Sequence, residues 1–325
     1  MATAEQTYLR SELQQRRKRL HEALHSPAAD ASLSQLLQAV DAALSRIDQG
    51  TFGICEACHD TIETERLLAD PLVRFCLDHL TSAEQRALES DLSLAARIQR
   101  ALLPKQDLAP SGWDVRYHYQ PAGMVSGDYC DLFETSGGLL FMLGDVSGKG
   151  VAASMLMSHL HATFRSLAAA GLPLDRMVED ASRIFCESTL AGQFATLVVG
   201  RAAHDGGVEF VSAGHLPVLH VHCGGATPKE STGVPLGMFG NTRFPVHRLT
   251  LASGDTLFLY TDGLTESRNL AGAEYGLQRI RALAAQHTET DAAGLISKCL
   301  EDLTIFGDGL KQTDDLTLLA VRRVA

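Results

Sequence analysis

Cys55, Cys58, Cys76 and His79 stand in the spacing C-x2-C-x17-C-x2-H, and this pattern restricts folding more tightly than any other in the 325-residue chain. A two-residue gap lets one tight turn present two ligands, and Zn²⁺ takes four thiolate or imidazole ligands in a tetrahedron. A segment of about 30 residues buries too little apolar surface to fold on its own core. One structural Zn²⁺ on these four side chains is therefore expected to supply most of its folding free energy. The chain holds seven cysteines, and the other four (Cys130, Cys186, Cys223, Cys299) lie singly. A secreted disulfide framework is denser and even-numbered. This distribution fits a reducing compartment, with scattered thiols serving as small core residues.

Residues 1–50 contain one glycine and one proline and are dominated by helix formers. Leu9, Leu13, Leu20 and Leu24 fall on one helical stripe, and Leu33, Leu37, Val40, Leu44 and Ile47 on a second. Between them, Ser26-Pro27-Ala28-Ala29-Asp30 carries breaker and capping signals. The reading is a hairpin of two antiparallel helices, each about 30 Å long, ended by Gly50. Arg16-Arg17-Lys18-Arg19 reads as a solvated helix face. The finger takes residues 51–81. Roughly over residues 30–80 the arrangement resembles the DksA/TraR-type zinc fingers, including their R-L-x-A-x-P stretch (Arg66-Leu67-Leu68-Ala69-Asp70-Pro71). His79 stands where that family most often has Cys, and Asp30 is the acidic residue at the hairpin tip. The resemblance implies RNA polymerase as a contact of the finger.

Residues 82–104 read as a connector helix, with Leu88, Leu92, Ala95, Ile98 and Leu102 on one face and Pro104 as its stop. A stripe unburied by its neighbours tends to pair with its own copy, so a homodimer is expected. From Trp113 the texture changes to short β-like runs separated by glycines. Candidate strands are Leu139–Val146, Thr196–Gly200, Val208–Ser212, Pro217–Val221, Thr256–Tyr260 and Leu316–Val321. Helical patterns fall at about 150–170, 175–190, 274–287 and 291–304. Strands in runs and helices in pairs predict an α+β layered domain over residues 105–325 with mostly antiparallel sheet.

Four acidic motifs recur in this domain, each at a strand end or turn: Ser126-Gly127-Asp128-Tyr129, Gly144-Asp145-Val146-Ser147-Gly148-Lys149-Gly150, Tyr260-Thr261-Asp262-Gly263 and Thr313-Asp314-Asp315-Leu316-Thr317. Apolar strands that deliver lone carboxylates are costly unless those carboxylates find a partner. Hard cations such as Mg²⁺ or Mn²⁺ are the usual partner, and two ions sharing a carboxylate can direct in-line attack on phosphorus. The second motif is not a nucleotide-binding P-loop, because Gly150 follows Lys149 where Ser or Thr is required.

In this order the four motifs resemble the metal-dependent protein phosphatases of the protein phosphatase 2C superfamily, in the bacterial SpoIIE/RsbU-type branch, over about residues 94–323. Ile98-Gln99 with Leu103-Pro104, Ser212-Ala213-Gly214-His215 and Gly233-Val234-Pro235-Leu236-Gly237 belong to the match. The resemblance implies a four-layer α-β-β-α sandwich with two Mn²⁺ or Mg²⁺ ions at one end. It also implies hydrolysis of phosphoserine or phosphothreonine in a protein, commonly a small anti-sigma-factor antagonist. Asp145 matches the carboxylate that bridges both ions, and Val146 the residue offering its backbone carbonyl. Asp262 and Asp314 match further ligands, with adjacent Asp315 as the other candidate of the pair, and Asp128 matches a carboxylate that holds metal-bound water. No histidine matches the general acid of the eukaryotic relatives, and no clear phosphate-binding arginine is found. His215 reads as a structural histidine in a tight turn.

Apolar residues make up 45% and charged residues 21%, which excludes wholesale disorder. A formal charge of −11 argues against a fold-wide grip on nucleic acid. No apolar run approaches the roughly 18 residues of a membrane span, and the N-terminus lacks the apolar core of a signal peptide. A cytoplasmic protein with no membrane partner is expected. The leading reading is a regulatory Ser/Thr phosphatase governed by its finger and connector helix. The alternative is a transcription-associated protein that binds RNA polymerase and carries a non-catalytic phosphatase-like module. Retention of every metal carboxylate favours the enzyme.

Overall fold

Leu9, Leu13 and Leu20 are buried against Val40, Ala43 and Leu44 in the computed structural model, as the two N-terminal stripes require. The structure describes residues 4–24, 31–106, 108 and 110–324, and the chain divides into two compact units, Met1–Asp91 and Leu92–Ala325. In the first, α1 (Ala4–Leu24) and α2 (Ala31–Gln49) run antiparallel. The ion pairs Arg10–Asp48 and Arg17–Asp41 set that sense, joining early residues of one helix to late residues of the other. The expected breaker at 26–30, with Asp30 at its tip, lies outside the described residues. Phe52, Cys55, Ile62, Leu67 and Cys76 join the same apolar cluster, so the finger and the hairpin share one core. After the short α3 (Thr64–Ala69), Thr81 and Glu84 form a reciprocal capping box that opens α4 (Ser82–Leu102).

The apolar stripe of α4, expected to be left unburied, is exposed at Leu88 and Ile98 and half-buried at Leu92, Ala95 and Leu102. Ala96 and Gln99 are buried. Gln99 can occupy a dry position because its side chain finds two backbone partners.

The second unit is a sandwich of two five-stranded antiparallel sheets. One contains β1 (Trp113–Gln120), β10 (Leu316–Arg323), β9 (Thr256–Tyr260), β6 (Val218–His222) and β7 (Gly225–Lys229), in that spatial order. The other runs β2 (Asp128–Thr135), β3 (Gly138–Val146), β4 (Ala195–Ala202), β5 (Gly207–Ala213) and β8 (His247–Thr250). Period-two alternation builds the layers. Leu139, Phe141 and Leu143 of β3 meet Leu319 and Val321 of β10 between the sheets. Leu140 and Met142 instead face α5 (Gly150–Ala169) and α6 (Leu174–Ser188). On the opposite side, Leu318 and Ala320 pack under α8 (Gly276–Gln286) and α9 (Ala292–Gly307). The result is the four-layer α-β-β-α arrangement expected. Strands β1, β2, β7 and β8 were not among the sequence candidates. Among the described residues, no helix is long and apolar enough to cross a membrane.

Candidate functional site

Asp128 and Asp145 stand opposite one another where β2 and β3 meet at one end of the sandwich. Gly144 precedes Asp145 because any Cβ there would press on the Thr196 carbonyl of β4. Asp262 begins α7 (Asp262–Thr265) directly after β9, and Gly263 is required beside it because the Asp315 carbonyl passes where a side chain would sit. Asp314 and Asp315 immediately precede β10. The acidic motifs are thus carried to one place by four strand ends. Asp145 and Asp262 line a cavity of about 270 Å³ with Thr196, His215 and Glu266.

The two members of the Asp314–Asp315 pair do different work. Asp315 accepts from the N–H of Ala122 at 2.8 Å and of Gly127 at 2.9 Å, closing the loop before β2. Asp314 accepts from Lys149 Nζ at 2.7 Å and lies on the open side of the cluster. Asp128 is buried, and its Oδ2 accepts from the hydroxyls of Thr261 at 2.9 Å and Thr317 at 2.5 Å. Its Oδ1 is buried with no hydrogen-bond partner among the described residues. A dry carboxylate oxygen without a donor is costly, and a cation or a water held by one would relieve it.

Electrostatics agree with a cation-seeking site. Burial, together with the charges of Asp262, Asp314 and Asp315, pushes Asp145 up to about 7. Burial, then Asp314 and Glu266, raises Asp262, and burial raises Asp128 well above the usual carboxylate range with Asp145 and Asp315 adding to it. Carboxylates that resist ionisation because of one another are those a divalent ion stabilises. The donor set is all oxygen, which suits Mg²⁺ or Mn²⁺.

His215 forms part of the cavity wall, and both its ring nitrogens are engaged. Nε2 faces the Tyr260 carbonyl at 3.1 Å, so it carries the proton, and Nδ1 then accepts from the Thr196 hydroxyl at 2.9 Å. Burial lowers His215 to about 4, leaving it neutral at physiological pH. Thr261, Thr317 and Gln99 were missed as site residues in the sequence. The two threonines lie inside quoted motifs, one residue before Asp262 and two after Asp315, and alternation along β10 was the available signal for Thr317.

In the first unit the ligand atoms of Cys55, Cys58, Cys76 and His79 all lie within 4.8 Å of one another. Cys58 Sγ and Cys76 Sγ are 3.8 Å apart, and Cys76 Sγ is 3.3 Å from His79 Nδ1. A tetrahedron with Zn–S of about 2.3 Å has edges of about 3.8 Å, so the four side chains fit Zn²⁺. Cys55 and Cys58 are presented by a tight turn in which the N–H of His59 donates to the Cys55 carbonyl, with His59 at φ 62°. Cys76 and His79 are presented by the single 3₁₀ turn Leu77–His79. Burial opposes ionisation of Cys55, but the N–H groups of Cys58, Cys76 and Ala57 outweigh it and bring the thiol down to about 6.

The sandwich with its carboxylate-lined end defines the fold of the PP2C-type phosphatases. The SiaA-PP2C domain of Pseudomonas aeruginosa superposes with a TM-score of 0.66 at 19% identity, over 75% of this chain and 99% of that one. The RsbU and RsbW domains of Rv1364c from Mycobacterium tuberculosis superpose with a TM-score of 0.58 at 30% identity, over 69% of this chain and 62% of that one. The family of Stage II sporulation protein E (SpoIIE) matches residues 135–324, and the chain belongs to that family. Residues 50–78 match the prokaryotic dksA/traR C4-type zinc finger, a match that ends one residue before His79. Protein IcfG of Synechocystis is 28% identical over 72% of this chain, which spans 41% of IcfG. Phosphoserine phosphatase RsbU of Bacillus subtilis is 26% identical over 74% of this chain and 72% of its own length.

Proposed function

We propose that the chain is a metal-dependent protein phosphatase that hydrolyses phosphoserine or phosphothreonine in a signalling protein. The observation that carries this reading is the convergence of Asp145, Asp262 and Asp314 on one cluster, with Asp128 facing it from β2 and one oxygen unpartnered. Asp145 would bridge two Mn²⁺ or Mg²⁺ ions, with the Val146 carbonyl, Asp262 and Asp314 completing their protein ligands. Asp315 is left out of the set because both its oxygens are committed to the loop before β2. When bound, such ions supply an activated nucleophile at neutral pH and neutralise charge for in-line displacement at phosphorus.

The protein groups set the stage for that displacement. Thr261 and Thr317 hold Asp128 through Oδ2, which leaves Oδ1 to accept from water at the cluster. Asp145 must be ionised to work. His215 is locked neutral between Thr196 and Tyr260, so it shapes the wall and moves no proton, and the leaving serine oxygen takes its proton from water. For the substrate we favour a phosphorylated anti-sigma-factor antagonist, in keeping with the likeness to RsbU.

The finger takes one structural Zn²⁺ on Cys55, Cys58, Cys76 and His79, and its dksA/traR likeness supports RNA polymerase as its contact. The exposed Leu94 and Ile98 of α4 support a homodimer seam. We place the protein in the cytoplasm. The test is Mn²⁺-dependent release of phosphate from a phosphoserine protein by the full chain. Activity abolished by EDTA and restored by Mn²⁺ is expected, and the absence of turnover at saturating Mn²⁺ would contradict the reading.

A further inference from the structure

The carboxylate cluster would have to admit a phosphate dianion, and the sequence offers no clear arginine for it. Among the described residues, two arginines of this unit are committed to carboxylates away from the cluster. Arg165 makes a bidentate pair with buried Asp131 at 2.6 and 2.7 Å and lies over the Phe133 ring, and Arg268 is paired with Glu274. Lys149 is differently placed. It lies in the loop joining β3 to α5, between Gly148 (φ 98°) and Gly150 (φ 70°), both in the left-handed region that glycine adopts freely. That loop carries it from Asp145 back over the cluster, where Nζ sits 2.7 Å from Asp314 Oδ2. Its side chain is 71% exposed, so it stands on the solvent side, from which a substrate must approach.

We propose that Lys149 is the phosphate-binding residue of this site, leaving its pair with Asp314 for the substrate's phosphoryl oxygens when Asp314 holds a metal ion. The inference rests on the phosphatase reading above. Asp314 Oδ1 already accepts from the Asp315 N–H, so Oδ2 is the oxygen for which lysine and metal compete. An exposed lysine–carboxylate pair is weak and yields to a divalent ion. The freed ammonium is a compact point charge with three donors on a flexible stem, suited to a tetrahedral dianion.

Competition gives the proposal an uncommon signature, in which one substitution strengthens metal binding and weakens phosphate binding. The full chain and its Lys149→Met and Lys149→Arg variants would be compared in three ways: Mn²⁺ affinity by electron paramagnetic resonance, orthophosphate affinity by calorimetry at saturating Mn²⁺, and KM for p-nitrophenyl phosphate. Lys149→Met should bind Mn²⁺ roughly threefold more tightly, because the internal competitor is gone. It should bind orthophosphate about tenfold more weakly, the worth of one charge-assisted hydrogen bond, with KM rising in step. Lys149→Arg should restore phosphate binding. Unchanged orthophosphate affinity in Lys149→Met, or metal and phosphate affinities falling together, would overturn the proposal. If the unmodified chain turns over no substrate, the phosphatase reading fails, and the orthophosphate comparison still decides the role of Lys149.

Discussion

The side-chain amide of Gln99 pairs with both backbone groups of Ser126, Nε2 donating to the carbonyl at 2.7 Å and Oε1 accepting from the N–H at 3.0 Å. Ser126 in turn accepts from the Asp128 N–H through its hydroxyl, so the last turns of α4 hold the turn that delivers Asp128. Gln99→Ala would leave two buried backbone groups without partners, at a cost of about 2–4 kcal/mol. Urea denaturation should show that loss, together with weaker Mn²⁺ binding. Gln99→Glu keeps the acceptor but loses the donor, and should fall between the two.

The pH dependence follows from Asp145, which burial and its acidic neighbours place at about 7 rather than the ordinary 3.8. The folded, ion-free chain therefore holds more protons than the unfolded chain. Its contribution to stability is present at low pH and lost as pH rises through about 7. Metal binding needs the ionised group and weakens as pH falls below that value. Calorimetry should find the ion-free melting temperature of the second unit falling between about pH 4 and pH 7, while the stabilisation by Mn²⁺ grows over the same window.

Cys55 and Cys76 belong to the same buried cluster as Leu13 and Leu44, so the zinc site supports the hairpin as well as the finger. Elemental analysis should find one Zn²⁺ per chain that survives exchange of Mn²⁺. Cys55→Ser should release it and lower helicity by circular dichroism, because the hairpin loses the floor it packs on. Hydrolysis of a small phosphate ester should persist, since the carboxylate cluster lies wholly in the other unit.

For α4 the seam to probe is the exposed one, at Leu94 and Ile98. Ile98→Glu places a charge in solvent in a monomer but two like charges face to face in a symmetric pair. Sedimentation should show a wild-type dimer at micromolar concentration and a monomeric variant. A monomeric wild type would remove dimerisation from the account.

The layered fold and most of the acidic cluster were legible in the sequence for the same reason: the central strands are apolar without interruption, and Asp145, Asp262 and Asp314 sit where such a run stops or starts. Leu139–Val146 shows this most clearly. β2 escaped because Asp128 and Asp131 break its pattern, and only the folded chain reveals that each is answered, by two threonine hydroxyls and by Arg165. The buried place of Gln99 on α4 was closed to sequence, because hydrophobicity alone marks a glutamine as outward. A pair of backbone hydrogen bonds from a loop distant in sequence reverses that preference. The division of labour between Asp314 and Asp315 was equally closed to sequence, since it depends on the N–H groups of Ala122 and Gly127.

The most direct test of the central claim is the Mn²⁺-dependent kcat of Asp145→Asn against the unmodified chain on a phosphoserine protein. The substitution is nearly isosteric and removes a charge that its acidic neighbours oppose, so the ion-free fold should be at least as stable as before. Losing the bridging carboxylate should lower kcat by about a thousandfold, close to 4 kcal/mol of transition-state stabilisation. A variant that folds, and works within a few-fold of the unmodified chain at matched Mn²⁺, would contradict the placement of the catalytic ions at Asp145.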